Sequence, residues 1–254
     1  MTTLPSLIVA GLALLAGPLR SPDPTLDRLL DCHDRAMGGA ALRAVSRIEY
    51  HLAIEEPGMS LRGRYRAVRE GIGGRMRIDV FSDSTRVYSE WWDGRRAWQL
   101  AEGADAPAES RVDGAEALRH GLEQPGHLWT LADMPANGHT VKLAGRDSIA
   151  GTLYHVVQLT LSDGFTNWYW VHPGTCRIER SRNFRSFHPD QDPGRRWLET
   201  AFDHFRSVNG VTRAFRERTV DLSTGAVVGT TRIVAVRLDP PFELHAVSPA
   251  PAPR

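Results

Sequence analysis

The chain has 254 residues, 41% of them hydrophobic, and 31 Lys and Arg against 30 Asp and Glu leave a formal net charge of only +1. That length suits one large β domain, and so small a charge supplies no global field to draw in nucleic acid. The two cysteines, Cys32 and Cys176, are too few for a disulfide-dense scaffold or a zinc ribbon. Lys142 is the only lysine, so nearly every positive charge is a guanidinium. A GC-rich genome would produce that bias, and guanidinium forks also suit carboxylate and phosphate partners.

Leu7 to Ala16 is an apolar run followed by the helix-hostile Ser21-Pro22-Asp23-Pro24. It is too short to span a bilayer and has the length of a signal-peptide h-region, although no Lys or Arg precedes it. A mis-assigned start codon or a buried N-terminal strand would account for the same residues. The expectation is export to the periplasm or beyond, with residues 1–20 a signal-peptide-like segment. No cysteine follows closely enough for a lipid anchor, and no later stretch is long and apolar enough to cross a membrane, so a soluble mature chain is expected. In an oxidising compartment Cys32 and Cys176 could pair, but two unrelated buried thiols are the expected state.

Asp23 as N-cap, Pro24 at the first helical position, and Leu26, Leu29, Leu30, His33 and Met37 at helical spacing predict a helix that Gly38-Gly39 ends. A short turn over Ala40 to Val45 follows. Ile48, Tyr50, Leu52 and Ile54 then alternate with polar residues as a half-buried strand does. Leu61 to Ala67 and Met76 to Val80 repeat the pattern, so three strands form one meander. Thr85 to Trp92 and Arg96 to Leu100 flank Asp93-Gly94, a hairpin signal. Composition changes at Ala101, and Ala115 to Leu122 followed by His127 to Met134 predicts an insertion of two short helices. Strands are predicted again at Thr140 to Leu143, Leu153 to Leu161, Phe165 to Val171, Ile178 to Phe187, Trp197 to Val208, Val211 to Val220 and Val228 to Leu238. The domain is expected to span residues 21–247, and the proline-rich tail 248–254 to be disordered.

Several strands are apolar on both faces: Leu153, Val157, Leu159 and Leu161 oppose Tyr154 and Val156, and Tyr169 and Val171 oppose Trp168 and Trp170. Two packed sheets, or one sheet closed around an apolar interior, would produce this. Arginines crowd the late strands, among them Arg177, Arg180, Arg182, Arg185, Arg213, Arg216 and Arg218. Acidic residues crowd the insertion, including Glu102, Asp105, Asp113 and Glu116. Solvated strand faces with cross-strand pairs explain such a distribution. The sharper alternative is that Arg180, Arg182, Arg216 and Arg218 meet anionic headgroups or an acidic partner.

Taken in order, the opening helix ending Ala36-Met37-Gly38-Gly39, Trp92-Asp93-Gly94 leading to Ala97-Trp98, the helical insertion and Trp168-Tyr169-Trp170-Val171 running into His172-Pro173-Gly174-Thr175 resemble a known family. So do the Asn209-Gly210-Val211 turn and the late Val236-Arg237-Leu238-Asp239. The family is that of the periplasmic outer-membrane lipoprotein carriers and lipoprotein-sorting proteins, the LolA-like superfamily, which includes RseB-like envelope-stress sensors. The resemblance implies a mainly β fold: a strongly curved antiparallel sheet forming an incomplete, open β-barrel, capped by the N-terminal helix and the helical insertion. It also implies an apolar cavity for acyl chains and no catalytic role or cofactor. On that reading Tyr50, Tyr65, Trp91, Trp98, Trp129, Trp168, Trp170 and Trp197 are the cavity candidates, although most of these rings would equally fill a core. The partners expected are a lipid, a lipoprotein acyl chain or another amphiphile, with an envelope protein partner as the alternative.

Hydrolase and phosphate-loop signatures are absent: there is no Gly-x-Ser-x-Gly, His-Glu-x-x-His, Gly-rich loop with Lys, or Cys-x-x-Cys. The best metal candidate is His188, Asp190 and Asp192 with Asp203 and His204, a set that an ordinary polar loop between strands explains as well. No metal site is assigned.

Overall fold

The computed structural model of the protein describes residues 24–244. The signal-like segment 1–20, the Asp23 cap and the tail 248–254 lie outside the described residues. Helices α1 (Pro24–Met37) and α2 (Ala40–Ala44) come first. The meander β1 (Arg47–Glu56), β2 (Met59–Glu70), β3 (Gly73–Ser82), β4 (Thr85–Trp92), β5 (Ala97–Ala101) and the two-residue β6 (Ala108–Glu109) follows. The insertion carries α3 (Val112–Glu123) and a 3-10 turn (Leu131–Asp133). Then come β7 (Thr140–Ile149), β8 (Thr152–Thr160), β9 (Thr166–Val171), β10 (Ile178–Arg185), β11 (Arg196–Asp203), β12 (Arg206–Val208), β13 (Val211–Arg213), β14 (Arg216–Asp221) and β15 (Val227–Leu238).

Thirteen of these strands form one antiparallel sheet in the order β6-β5-β4-β3-β2-β1-β15-β14-β11-β10-β9-β8-β7. The sheet curves but does not close, so the fold is the open barrel that the family resemblance implies. Register divides the side chains into two faces. Ile48, Tyr50 and Leu52 of β1 stand opposite Ala67, Tyr65 and Gly63 of β2 on the concave face, against Leu238 and Val236 of β15. Leu26, Leu29 and Leu30 of α1 join them in one buried cluster with Leu128, Trp129, Leu131 and Met134 of the insertion. Each such side chain contributes about 1.5–3 kcal/mol through burial. The opposite, convex face of β2 to β4 carries a buried polar cluster in which Asp79 accepts from Arg66 (2.7 Å), Arg77 (2.8 Å) and Ser89 (2.6 Å). The carbonyls of Glu243 and Leu244 accept from the same two arginines, so the last described residues lie across this cluster.

Two expectations change. The second insertion helix, predicted over His127 to Met134, reduces to the three-residue turn, because Pro125-Gly126 and Pro135 bracket the segment. Its backbone also turns outward to other partners, with Leu128 O accepting from Arg69. The long strands predicted at Trp197 to Val208 and Val211 to Val220 each break in two. His204 adopts φ 53° and ends the ladder, so β12 and β13 pair with each other and leave the main sheet. That detour carries Val211 and Arg213 beneath α1. Gly38 makes the close fit there possible: its φ is 116°, and a Cβ at this position would stand 2.5 Å from Gly210 O.

The reading of two unrelated thiols is also corrected. Cys32 on α1 and Cys176, in the turn between β9 and β10, form a disulfide with Cα atoms 5.7 Å apart. Beside it His33 Nδ1 donates to Cys176 O at 2.9 Å, so one helical turn is fixed to that hairpin both covalently and by a hydrogen bond. The bridge closes a loop with a sequence separation of 144 residues. Replacing both cysteines by serine is expected to lower unfolding stability by about 2–5 kcal/mol, read by chemical denaturation of oxidised protein and variant. Equal midpoints would mean that packing alone docks α1.

Candidate functional site

The concave face holds a cavity of about 680 Å³, within the roughly 300–1,000 Å³ range of small-molecule sites. On one side lies α3, contributing Glu116, Ala117, His120 and Gln124; on the other lie the inward positions of β9, β10, β11 and β14. Pairing registers show how the sequence builds that wall. Tyr169, Ser181, Thr200 and Thr219 face each other across four strands, and Asn167 and Asn183 continue the row. Arg185, Phe202 and Glu217 complete it. The wall is mixed polar and apolar, where an apolar cavity was expected.

Three sets of contacts hold the insertion over this wall. Arg119 and His120 bind Asp163 in the β8–β9 turn, His120 at 2.7 Å, and the His120 ring stacks on Phe165 at 4.2 Å. Gln124 Oε1 accepts from Asn167 Nδ2 at 2.6 Å and from Tyr169 OH at 2.9 Å. The 186–195 loop reaches across from β10. His188 Nε2 meets Glu56 Oε1 at 3.0 Å, Asp190 Oδ1 accepts the Arg111 N–H at the start of α3 at 3.1 Å, and Arg195 pairs with Asp113 at 3.2 Å. Gly114 makes room for Asp190, because a Cβ there would approach its carboxylate to 2.4 Å, and Gly229 makes room for the Phe187 ring.

At the inner end, a small chamber of about 50 Å³ is lined by His33, Tyr50, His127, Phe202, Arg213 and Ile233. Arg213 is its central group and is only 2% exposed. Its Nε donates to Tyr50 OH at 3.0 Å, Nη1 donates to Thr212 O at 3.2 Å, and Nη2 donates to His127 O in the insertion. A fully charged side chain on the short hairpin thus pins the insertion backbone from inside. Tyr50 stacks on Tyr65 at 5.7 Å and His127 covers Tyr65 at 4.7 Å.

Of the sequence-chosen aromatics, Tyr50 and Tyr65 therefore lie on the concave face near this chamber. Trp129 is buried in the insertion core with Arg69 over its ring at 4.4 Å. The other five are elsewhere. Trp91 and Trp98 pair across β4 and β5 on the convex side that carries Arg77. Trp168, Trp170 and Trp197 share the convex face of the later strands, Trp168 lying 5.5 Å from Trp197, and border a shallow groove with Arg182 and Phe184. The two-residue alternation decides this: Tyr169 points in, so its neighbours point out. Arg180 and Arg182 both bind Glu199, and Arg216 binds Asp203 with two bonds of 2.7 and 2.6 Å. Arg218 is exposed. Among the described residues no group of three or more His, Cys, Asp or Glu side chains is placed to hold a metal ion. Asp192 of that candidate set pairs with Arg196.

Burial shifts several groups inside. Desolvation pulls His33 down to about 4 and His127 down to about 4, the latter aided by Arg213. Desolvation pushes Glu217 up to about 7 against the pull of Arg185, and pushes Glu90 up to about 7. A histidine lowered on folding binds fewer protons than in the unfolded chain, so its contribution to stability is present above pH 6.5 and is lost as pH falls through about 4. The two glutamates act oppositely, favouring the fold at low pH and losing that contribution as pH rises from 4.5 through about 7. His33→Asn retains a donor for Cys176 O and removes the titration. Its melting temperature relative to wild type should climb as pH falls from 6.5 to 4, and a constant difference would contradict the assignment. Arg213→Met removes the pin, and amide exchange at residues 126–130 should then accelerate by roughly tenfold or more while the sheet stays protected. Unchanged exchange would show that apolar packing alone holds the insertion.

No protein-family model and no curated protein matches the sequence. Solved structures do match. A DUF1329 family protein from Desulfovibrio piger superposes with a TM-score of 0.56 at 12% identity, over 84% of this chain and 94% of that one. A LolA superfamily protein from Nitrosomonas europaea gives 0.54 at 17% identity, over 85% and 94%. A putative outer membrane lipoprotein-sorting protein domain from Vibrio parahaemolyticus gives 0.55 at 10% identity, over 85% and 93%. With most of both chains aligned in each case, the chain shares its overall fold with these proteins.

Proposed function

We propose that this chain is an exported, non-catalytic binding protein, a carrier or sensor that takes an amphiphile into the concave face beneath the insertion. The observation that carries the reading is the 680 Å³ cavity between α3 and the strands. It is covered by a segment held through side-chain contacts, with Arg213 and Arg69 donating to its carbonyls, instead of backbone ladder bonds. Such a cover can be released at modest cost, whereas the sheet behind it cannot. Apolar burial then supplies affinity at about 0.8 kcal/mol per methylene. The lipoprotein-sorting name of one structural neighbour is consistent with such a ligand. Export fits the Cys32–Cys176 disulfide, which persists in oxidising compartments. Among the described residues no helix is long and apolar enough to cross a membrane.

The test is native mass spectrometry of protein exported and purified without detergent, followed by solvent extraction and lipid analysis of what dissociates. A bound amphiphile of defined mass is the expected result. An empty protein that also fails to take up added acyl lipids would overturn the reading and favour a protein partner.

A further inference from the structure

A chamber that only had to hold acyl chains would be apolar throughout, and this one is not. Glu217 and Arg185 both line the main cavity, from β14 and β10, with β11 between them. Among the described residues Glu217 makes no hydrogen bond and no ion pair. Arg185 makes one hydrogen bond, from Nη1 to the neighbouring Ser186 O at 3.2 Å, and its guanidinium lies 5.9 Å from the Phe187 ring. The two groups feel each other electrostatically yet stand beyond ion-pair distance. Around them, Asn167 Oδ1 and Asn183 Oδ1 are buried without a donor, while Thr200 bonds only to Thr219 at 3.0 Å. Polar atoms withdrawn from water without partners cost free energy, so the two asparagine oxygens favour a ligand that brings donors to this wall.

We infer that the Arg185–Glu217 wall is a headgroup subsite for a neutral, polyhydroxylated ligand, a sugar or glycerol-type headgroup, and that it selects among amphiphiles. The inference rests on the carrier reading and adds the chemistry of its polar end. A hydroxyl can accept from Arg185 and donate to Glu217 or an asparagine oxygen at once, which matches a wall holding one strong donor among several acceptors. An anionic headgroup would satisfy Arg185 and meet Glu217 as a like charge. An ammonium would satisfy Glu217 and meet Arg185 and Arg213. Phe165, Phe202 and Tyr169 border the same space and offer apolar surface to a ring or to the start of an acyl chain. The small inner chamber by Tyr50 and His127 lies beyond Glu217, so a headgroup seated at the wall leaves the chain to run under the insertion.

Titration calorimetry on the full mature protein, with dodecyl maltoside and octaethylene glycol monododecyl ether below their micellar concentrations and with free maltose, tests this. Dodecyl maltoside should bind at least tenfold more tightly than octaethylene glycol monododecyl ether, which has the same chain and a neutral headgroup with a single hydroxyl. Arg185→Met and Glu217→Gln should each erase most of that preference, with circular dichroism confirming the fold. The wild-type comparison stands even where a variant fails to fold. Maltose binding as tightly as dodecyl maltoside would keep the polyol subsite and make a free sugar its ligand. Equal affinity for both detergents would overturn the subsite and leave the carrier reading intact. No binding of any of the three would overturn both.

Discussion

A single sheet of thirteen strands, bent until it nearly faces itself but left open, has to hide one apolar face with no second sheet to lay against it. Everything else in the molecule answers that requirement. Helix α1 brings Leu26, Leu29 and Leu30 to one end of the concavity, and the insertion brings Leu128, Trp129, Leu131 and Met134 beside them. The open edges need protection too. On one side β6 is two exposed residues, too short to template another chain. On the other, β7 carries Lys142 and Arg146, charges of the kind that discourage edge-to-edge pairing.

Covering an open barrel with a separate segment divides the interior into zones of different character. Beneath α1 the packing is tight and largely apolar, and Arg213 there is spent on Tyr50 and on the insertion backbone. Between α3 and the later strands the contacts are side chain to side chain, and space remains. That difference follows from register: Val157 and Leu159 on β8 point toward the core, whereas the inward positions of β10 are Ser181, Asn183 and Arg185. One sheet thus presents an oily floor and a hydrogen-bonding wall.

The strands and the opening helix were legible because alternation and turn chemistry are local signals, whereas the open-barrel architecture came from the family resemblance. Asp93-Gly94 and Asp163-Gly164 sit at strand junctions as the hairpin rule requires, with Gly94 at φ 98° and Gly164 at φ 92°. What was not legible depended on partners distant in sequence. A buried arginine and a solvated one look alike, so Arg213 and Arg185 were grouped with Arg180, Arg182, Arg216 and Arg218. The signal available was parity: Arg185 falls in step with Ser181 and Asn183, opposite to Arg182. The same parity would have moved Trp168 and Trp170 to the convex face, since Tyr169 lies between them. No local pattern could have joined Cys32 to Cys176.

That bridge also orders events in time. Helix α1 is the first described element to be synthesised, and the cysteine that fixes it arrives only with the β9–β10 turn, 144 positions later. Until then the helix has neither its staple nor the Gly210 backbone that Gly38 fits against. Closing so long a loop is slow compared with forming hairpins such as β2–β3. The oxidation step is what makes the placement of that helix over the interior permanent.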